Sequence, residues 1–197
     1  MSKFYSMKQF LIFMAYVITL NFFAAAQTKE IKCVIANAED LAFVIDVPDA
    51  RFYDGAKLQV WEHYSQSDNQ YFLFDIISQH SNDCYIELIK TAFLPNLAFD
   101  VTDGKVFENN SVQLWTCYPQ SKIQRWELCF EDNYMVIRSC LNRDYVLAVE
   151  KPVKNGSKIV IQKYTGADNQ KWKGFPIDAD GFSNDYIIYK SLYDKSN

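Results

Sequence analysis

The feature that most constrains this sequence is a residue pattern that returns about every 50 positions. Asp46 and Gln59 are 13 positions apart, and Asp100 and Gln113 have the same spacing. A third, less complete copy ends at Asp168-Asn169-Gln170. A repeat of this length predicts that the chain is built from three similar units that bury a common core together.

Each unit has the pattern of four short strands. β-branched and aromatic residues cluster in these segments, and turn-forming pairs such as Asp54-Gly55 and Asn155-Gly156 lie between them. The predicted strands are 31–36, 41–47, 57–63 and 71–77 in the first unit, 85–90, 97–101, 112–118 and 125–131 in the second, and 134–139, 145–150, 158–164 and 171–177 in the third. Twelve strands in three equal units predict an all-β fold, the β-trefoil, in which a closed barrel carries hairpin caps.

The first 26 residues have the layout of a secretory signal peptide. Lys3 and Lys8 precede an apolar run over 10–26 that ends in three alanines, as at a signal cleavage site. An uncleaved membrane anchor is the alternative, but Asn21 interrupts the run and the run is short for a span. We therefore expect a secreted, extracellular protein that is not inserted in a membrane once the signal is removed.

The remaining chain divides into a trefoil domain over 27–177 and a C-terminal extension over 178–197. Within the extension, residues 185–190 look like a further copy of the opening strand. They either form an extra strand outside the barrel or replace residues 31–36. The first arrangement is favoured, because 31–36 lies at the same distance from Asp46 as the opening strands of the other units do from their equivalents of Asp46.

Charge and cysteine content limit the partners. Loss of Lys3 and Lys8 changes the formal net charge from −4 to −6, and such an acidic surface repels phosphate, so nucleic acid is not expected as a partner. The chain has five cysteines, which in an oxidising compartment leaves at least one thiol unpaired or bonded to a partner chain. The sequence does not select a pairing. The cysteine spacing and the two histidines give no pattern for a metal site, and no cofactor is expected.

A Gln-x-Trp motif ends the second and third units, at Gln124-Arg125-Trp126 and Gln170-Lys171-Trp172, and Gln70-Tyr71-Phe72 is its variant in the first. Three such motifs in register with Asp46 and Asp100 make the chain resemble a ricin B-type (R-type) lectin, over about residues 30–177. We interpret the motifs as structural, because a large aromatic at one point of each unit fills the barrel and the Gln amide satisfies backbone groups.

Asp46 and Asp100 need a different explanation. A carboxylate beside valine on a short strand has no partner in the pattern, and it would be costly in a core. An isolated aspartate in such a place is usually a capping residue of a turn or a strand end. The resemblance instead implies a sugar, whose hydroxyls donate to the carboxylate while its apolar face lies on an aromatic ring.

By this resemblance, the first unit carries a complete sugar site. Asp46 would accept from two adjacent ring hydroxyls, and Trp61 would stack on the sugar. Asn69 would hydrogen-bond a hydroxyl, Gln59 would reach the pocket from the neighbouring strand, and Gln70 would orient Asp46.

The second unit carries a partial site in the same frame. Its matching residues are Asp100, Gln113, Trp115 and Gln124. Ile123 stands where the family has Asn, so one hydroxyl partner is missing. A glycosylation sequon begins at Asn109, and a glycan there is expected to crowd this pocket.

The third unit has lost the ligand groups. Ala148, Val160 and Gln162 replace the acid, the amide and the aromatic, so this unit is expected to be scaffold only. A second sequon begins at Asn155.

The resemblance implies a secreted carbohydrate-binding protein for glycans ending in galactose or N-acetylgalactosamine. The alternative is a trefoil that binds a protein, as an inhibitor or a toxin-like module. An enzyme is the least supported reading, since no nucleophile lies near a paired base, and the spacing of Asp46 and Asp49 does not set them across one glycosidic bond. Single shallow sugar sites bind near 1 mM, about −4 kcal/mol, so useful avidity requires more than one site.

Overall fold

The computed structural model describes residues 31–65, 67–81, 84–131, 133–178 and 181–182. Both the signal segment 1–26 and the strand predicted at 185–190 lie outside these residues. The strands in chain order are β1 Ile31–Asn37, β2 Phe43–Asp46, β3 Gln59–Glu62, β4 Phe72–Ser81, β5 Cys84–Thr91, β6 Leu97–Val101, β7 Asn110–Thr116, β8 Trp126–Glu131, β9 Tyr134–Ser139, β10 Tyr145–Val149, β11 Ile159–Lys163, β12 Trp172–Asp178 and β13 Gly181–Phe182. Short 3-10 turns lie at Pro48–Ala50, Asp68–Gln70, Thr102–Gly104 and Asp168–Gln170.

Six strands close into a barrel. β1 pairs with β4, β4 with β5, β5 with β8, β8 with β9, β9 with β12, and β12 returns to β1, all antiparallel. Closure leaves these strands without a free sheet edge. Each of the twelve predicted strands is present, and the predicted β-trefoil is confirmed. β4 is longer than predicted and reaches Ser81, because it stays paired with β5 across two register shifts.

The other strands form one hairpin cap per unit: β2 with β3, β6 with β7, and β10 with β11. The caps also contact one another around the threefold axis. Lys57 bridges to Gln113, and Gln59 bridges to Lys158, so the first cap touches both of the others. β11 pairs with β7 and completes the ring. Each cap therefore lies against the turn that joins the two cap strands of a neighbouring unit.

The aromatic residues of the three repeated motifs lie in the barrel core. Phe72, Trp126 and Trp172 have no exposed surface. The two indoles donate to backbone carbonyls, Trp126 Nε1 to Phe99 O at 3.2 Å and Trp172 Nε1 to Leu147 O at 3.0 Å. A fully buried aromatic of this kind contributes roughly 1.5–3 kcal/mol of burial free energy. These residues form the core of the fold, as the sequence predicts.

One disulfide is present among the described residues. Cys84 and Cys129 are cross-strand neighbours in β5 and β8 and are bonded. Cys33 is buried, while Cys117 and Cys140 are partly exposed thiols. Burial raises the pKa of all three free thiols. A bond to a partner chain remains a prediction, and burial of Cys33 confines it to Cys117 or Cys140.

Within the described ranges, no helix is long and apolar enough to span a membrane.

Candidate functional site

The first candidate site begins at the end of β2. Asp46 is the last residue of that strand and lies directly opposite Gln59 in β3. Opposed residues of an antiparallel pair have Cβ atoms about 4.5–5.5 Å apart, so the two side chains meet. Beyond Val47 the chain turns through Asp49, whose φ is 54°. Val47 N then donates to Asn69 O at 2.9 Å, which brings the end of the unit beside the acid.

Three amides from this unit hold the Asp46 carboxylate. Gln59 Nε2 donates to Oδ2 at 2.7 Å. Asn69 Nδ2 donates to Oδ1 at 2.6 Å, and Gln70 Nε2 donates to the same oxygen at 3.2 Å. The structure thus brings all the acid and amide residues predicted for the first unit into one cluster.

This cluster corrects the expectation that Asp46 has no protein partner. Asp46 is 3% exposed, and three protein amides donate hydrogen bonds to its carboxylate. An ionised carboxylate has roughly four lone-pair positions. Oδ1 accepts two bonds, and the described residues give Oδ2 one. Among the described residues, one acceptor position on Oδ2 therefore has no donor, and the hydrogen bonds from two sugar hydroxyls that the resemblance implies remain a prediction. Asn69 Nδ2 donates to Asp46 and to Val47 O, and its hydrogen bond to a sugar hydroxyl remains a prediction.

Gln70 orients the acid through its own fixed position. Its Nε2 donates to Glu62 O at 3.0 Å, and its Oε1 accepts from Tyr64 N at 3.0 Å. The same pair of backbone bonds is made by Gln124 to Thr116 O and Tyr118 N, and by Gln170 to Lys163 O and Thr165 N. The prediction that the motif glutamines satisfy backbone groups is confirmed in all three units.

A cavity of about 150 Å³ opens over the first site. One water needs roughly 10–15 Å³ of such space, so the cavity has room for a ligand larger than a water molecule. Trp61, half-buried, forms one wall beside Asp46 and Gln59. The full lining is Asp46, Asp49, Gln59, Trp61, Tyr64, Ser67, Asn69 and Gln70.

Three lining residues were not predicted: Asp49, Tyr64 and Ser67. Tyr64 is 54% exposed, and its equivalent in the second unit, Tyr118, is 58% exposed. A sequence signal for this tyrosine existed, because Trp61-x-x-Tyr64 and Trp115-x-x-Tyr118 repeat in the same frame.

The second site repeats the acid and amide geometry with fewer donors. Gln113 Nε2 donates to Asp100 Oδ1 at 3.0 Å, and Gln124 Nε2 donates to Oδ2 at 3.2 Å. Ile123 adds no donor, and its Cδ1 would lie 2.9 Å from a Cβ on Gly104. The described residues thus give each Asp100 oxygen one bond, so the carboxylate has two acceptor positions left. Trp115, 39% exposed, lies on the same strand as Gln113.

A lysine from the first unit reaches this second site. Lys57 Nζ donates to Gln113 Oε1 and to Thr102 Oγ1, both at 2.6 Å. Burial lowers the pKa of Lys57, while the nearby carboxylates of Asp103 and Asp100 oppose that shift.

Burial also raises the pKa of both candidate acids above the usual value of 3.8. For Asp46 the hydrogen bonds from Gln59 and Gln70 oppose the shift. For Asp100 the bonds from Gln113 and Gln124, and the charge of Lys57, act in the same lowering direction.

In the third unit Ala148 lies opposite Val160, and neither is polar. Gln162, at the aromatic position, accepts from Asn169 Nδ2 at 3.2 Å and donates to Asn109 Oδ1 at 2.8 Å. Amide side chains therefore satisfy one another here, and Ala148 stands in the position of the acid.

Each of the two sequons contacts a unit other than its own. Asn109 contacts Gln162 of the third unit, so we expect a glycan there to lie against that unit, whereas the sequence predicts that it crowds the second pocket. Asn155 instead borders the first site, because its Oδ1 accepts from Glu62 N, next to Trp61, at 2.7 Å. The reason is the ring of caps, in which the turn of one unit lies against the site of another.

Among the described residues, no cluster of three or more His, Cys, Asp or Glu side chains is arranged to hold a metal ion.

Comparisons with known proteins support the fold. The sequence matches no protein-family model, and no curated protein sequence matches it. Solved structures do match. The designed threefold symmetric protein ThreeFoil is 22% identical, with a TM-score of 0.62 over 73% of this chain and 96% of that one. The C-terminal half of an earthworm R-type lectin, in complex with GalNAc, is 19% identical, with a TM-score of 0.54 over 74% of this chain and 98% of that one.

An enzyme also contains a similar structure. An exo-β-1,3-galactanase from Clostridium thermocellum is 20% identical, with a TM-score of 0.64 over 75% of this chain. The match covers only 30% of that enzyme, so most of its length has no counterpart here. Three units in a closed barrel, a buried aromatic in each, and these structural neighbours lead to one conclusion: the chain has the β-trefoil fold of the ricin B-type lectins.

Proposed function

We propose that this chain is a secreted carbohydrate-binding protein that recognises galactose or N-acetylgalactosamine at the ends of glycans. The observation that carries the proposal is the cavity shared by Asp46 and Trp61. It combines an ionisable acceptor, amide donors and an aromatic wall, which are the groups that a sugar ring requires.

The chemistry of the first site follows from the hydrogen-bond donor and acceptor positions that the protein leaves unused there. A ring hydroxyl donates to Asp46 Oδ2. Among the described residues, this oxygen accepts a hydrogen bond only from Gln59. Gln59 Nε2 has a second N–H, which donates to the neighbouring sugar oxygen. The apolar face of the sugar lies on Trp61, which excludes water from these bonds. A hydrogen bond to a charged group contributes roughly 1.5–3 kcal/mol, or about ten- to a hundredfold in affinity.

Support for the sugar type comes from the earthworm R-type lectin, whose structure contains GalNAc. Secretion rests on the signal-like segment 1–26 and on the Cys84–Cys129 disulfide, which suits an oxidising compartment. The proposal is for binding without catalysis. The galactanase match fits this view, since the shared trefoil is a minor part of that enzyme.

Affinity chromatography on immobilised galactose and N-acetylgalactosamine tests the proposal. The wild-type chain is expected to be retained and to elute with free sugar. Asp46→Asn should lose most retention at the first site. Asp168→Asn is the matched control, because this acid is exposed, lies in the third unit and pairs only with Lys171 in the described residues. No retention on either resin, or retention that free sugar does not reverse, would contradict the proposal and leave the protein-binding alternative.

A further inference from the structure

The turn of a neighbouring unit borders each candidate site, and the second site receives a charged group from that turn. Lys57 lies on the first unit, directly before the buried Leu58, and its backbone bridges to Gln113 of the second. The Lys57 side chain also extends to the second unit, where Nζ donates to Gln113 Oε1 and to Thr102 Oγ1.

The equivalent residue beside the first site behaves differently. Lys158 of the third unit bridges to Gln59 through its backbone. Its Nζ, however, pairs with Glu150 at 3.5 Å on the surface. Among the described residues, the acid of the first site thus contacts Asn69 and no ammonium group, whereas the second site has Ile123 and an ammonium group beside its amide.

The hydrogen-bond capacity of Lys57 leaves room for a ligand. An ammonium group has three N–H donors. Gln113 and Thr102 take two of them in the described residues. Meanwhile Asp100 has two acceptor positions left, one on each oxygen. A hydroxyl of a bound sugar can donate to Asp100, and an adjacent oxygen can accept from Lys57.

We propose that Lys57 of the first unit completes a second sugar site around Asp100, Gln113 and Trp115, where it supplies the donor that Ile123 cannot. The inference rests on the proposed function and deepens it. The ligand is a neutral sugar with adjacent oxygen atoms. Asp103 and Asp100 lie near the Lys57 ammonium, and Asp54 lies near Asp100, so these carboxylates disfavour an anionic sugar.

The test measures the second site alone. An Asp46→Asn background disables the first site, and the indole N–H signals of Trp61 and Trp115 in nitrogen-15 NMR spectra report each site during a galactose titration. Lys57→Met removes the donor and keeps the length of the side chain. Lys158→Met is the matched control, since that ammonium pairs with Glu150.

We expect galactose to shift the Trp115 signal in the Asp46→Asn chain, and Lys57→Met to weaken that binding about tenfold or more. Lys158→Met should leave it unchanged within a factor of two. A change of less than twofold for Lys57→Met overturns the inference. Wild-type binding at Trp61 with none at Trp115 overturns the inference alone, whereas binding at neither tryptophan overturns the proposed function as well.

Monodeoxy galactoses separate contact from support. If Lys57 contacts the sugar, one deoxy derivative lacks the oxygen that Lys57 binds. That derivative should bind the Asp46→Asn chain more weakly than galactose does. With Lys57→Met added, the derivative and galactose should bind equally. If every derivative loses the same affinity relative to galactose in both chains, Lys57 only holds Gln113 in place, and the inference is overturned.

Discussion

Gln59 Nε2 donates to Asp46 Oδ2 at 2.7 Å across the β2–β3 pair, and this contact fixes the acid at the cavity. The second unit repeats the relationship between Gln113 and Asp100 at 3.0 Å. In the third unit, Val160 and Ala148 occupy the same two positions. The acid and its cross-strand amide are therefore present together or absent together.

This pairing predicts strong coupling between Asp46 and Gln59. Gln59→Val alone should cost about 1–3 kcal/mol of unfolding free energy, since it removes a donor from a buried carboxylate. With Asp46→Ala, which reproduces the third unit, the added cost of Gln59→Val should fall by about 0.5–3 kcal/mol. Urea unfolding of the four chains measures this cycle. Additive costs would show that the contact carries no coupling.

Sugar binding should weaken on acidification at a pH above the usual aspartate pKa. Burial raises the pKa of Asp46 and Asp100 in the folded chain, so both carboxylates protonate sooner than exposed ones. Binding that needs the ionised form is complete above the folded-state pKa and is lost as the pH falls through it. Calorimetric titration with galactose, from neutral pH down to the usual pKa of aspartate, measures the midpoint.

The same shift has the opposite sign for stability. A folded-state pKa above the unfolded value means that the folded chain binds the proton more readily, so protonation of these two acids stabilises the fold. Melting temperature should therefore not fall in parallel with sugar affinity as these acids protonate. A parallel fall of both would show that acid acts through unfolding.

Gln170→Ala should lower stability without changing sugar binding. This side chain is 2% exposed and bridges Lys163 O and Thr165 N, both in the third unit, whose cap has Ala148 and Val160 in place of the acid and its amide. Losing these bonds should cost roughly 1–3 kcal/mol. Thermal unfolding together with the galactose titration measures both effects. A loss of affinity in the folded variant would contradict the structural role of the motif.

A glycan on Asn155 should weaken the first site. Asn155 Oδ1 accepts from Glu62 N, and a Cβ on the following Gly156 would lie 3.9 Å from Trp61 Cζ3, so a glycan on this amide starts beside the indole. In a host that adds N-glycans, Asn155→Asp should strengthen galactose binding at Trp61, because it removes the glycan and keeps the acceptor for Glu62 N.

Asn109→Gly is the matched control for the glycan prediction. Asn109 contacts Gln162 in the third unit and has a φ of 64°, which glycine adopts readily. Its glycan should not affect either tryptophan. Equal gains for Asn155→Asp and Asn109→Gly would mean that glycans act generally, by bulk, and not through the first site.

Within one unit, the sequence predicts the register of the hairpin cap and the role of the motif glutamine. The spacing of 13 positions between Asp46 and Gln59 corresponds to direct opposition across a hairpin, and the structure shows that register. The motif glutamines also act on backbone groups of their own unit, a local relationship that a repeat pattern reveals.

Contacts between units were not predictable from the repeat alone. Lys57 and Asn155 act on sites whose acids lie 43 and 109 positions away, at Asp100 and Asp46, and only the ring of caps brings them there. The number of amides on Asp46 was also missed. A spacing identifies which side chains share a region, but it does not divide their hydrogen bonds between protein and ligand.

The most direct measurement is a crystal structure of the chain with bound N-acetylgalactosamine. The account predicts a sugar in the cavity of the first unit, with its apolar face on Trp61 and a ring hydroxyl donating to Asp46 Oδ2. A sugar bound away from both Asp46 and Asp100, in a chain that keeps full affinity after both acids are changed to asparagine, would contradict it.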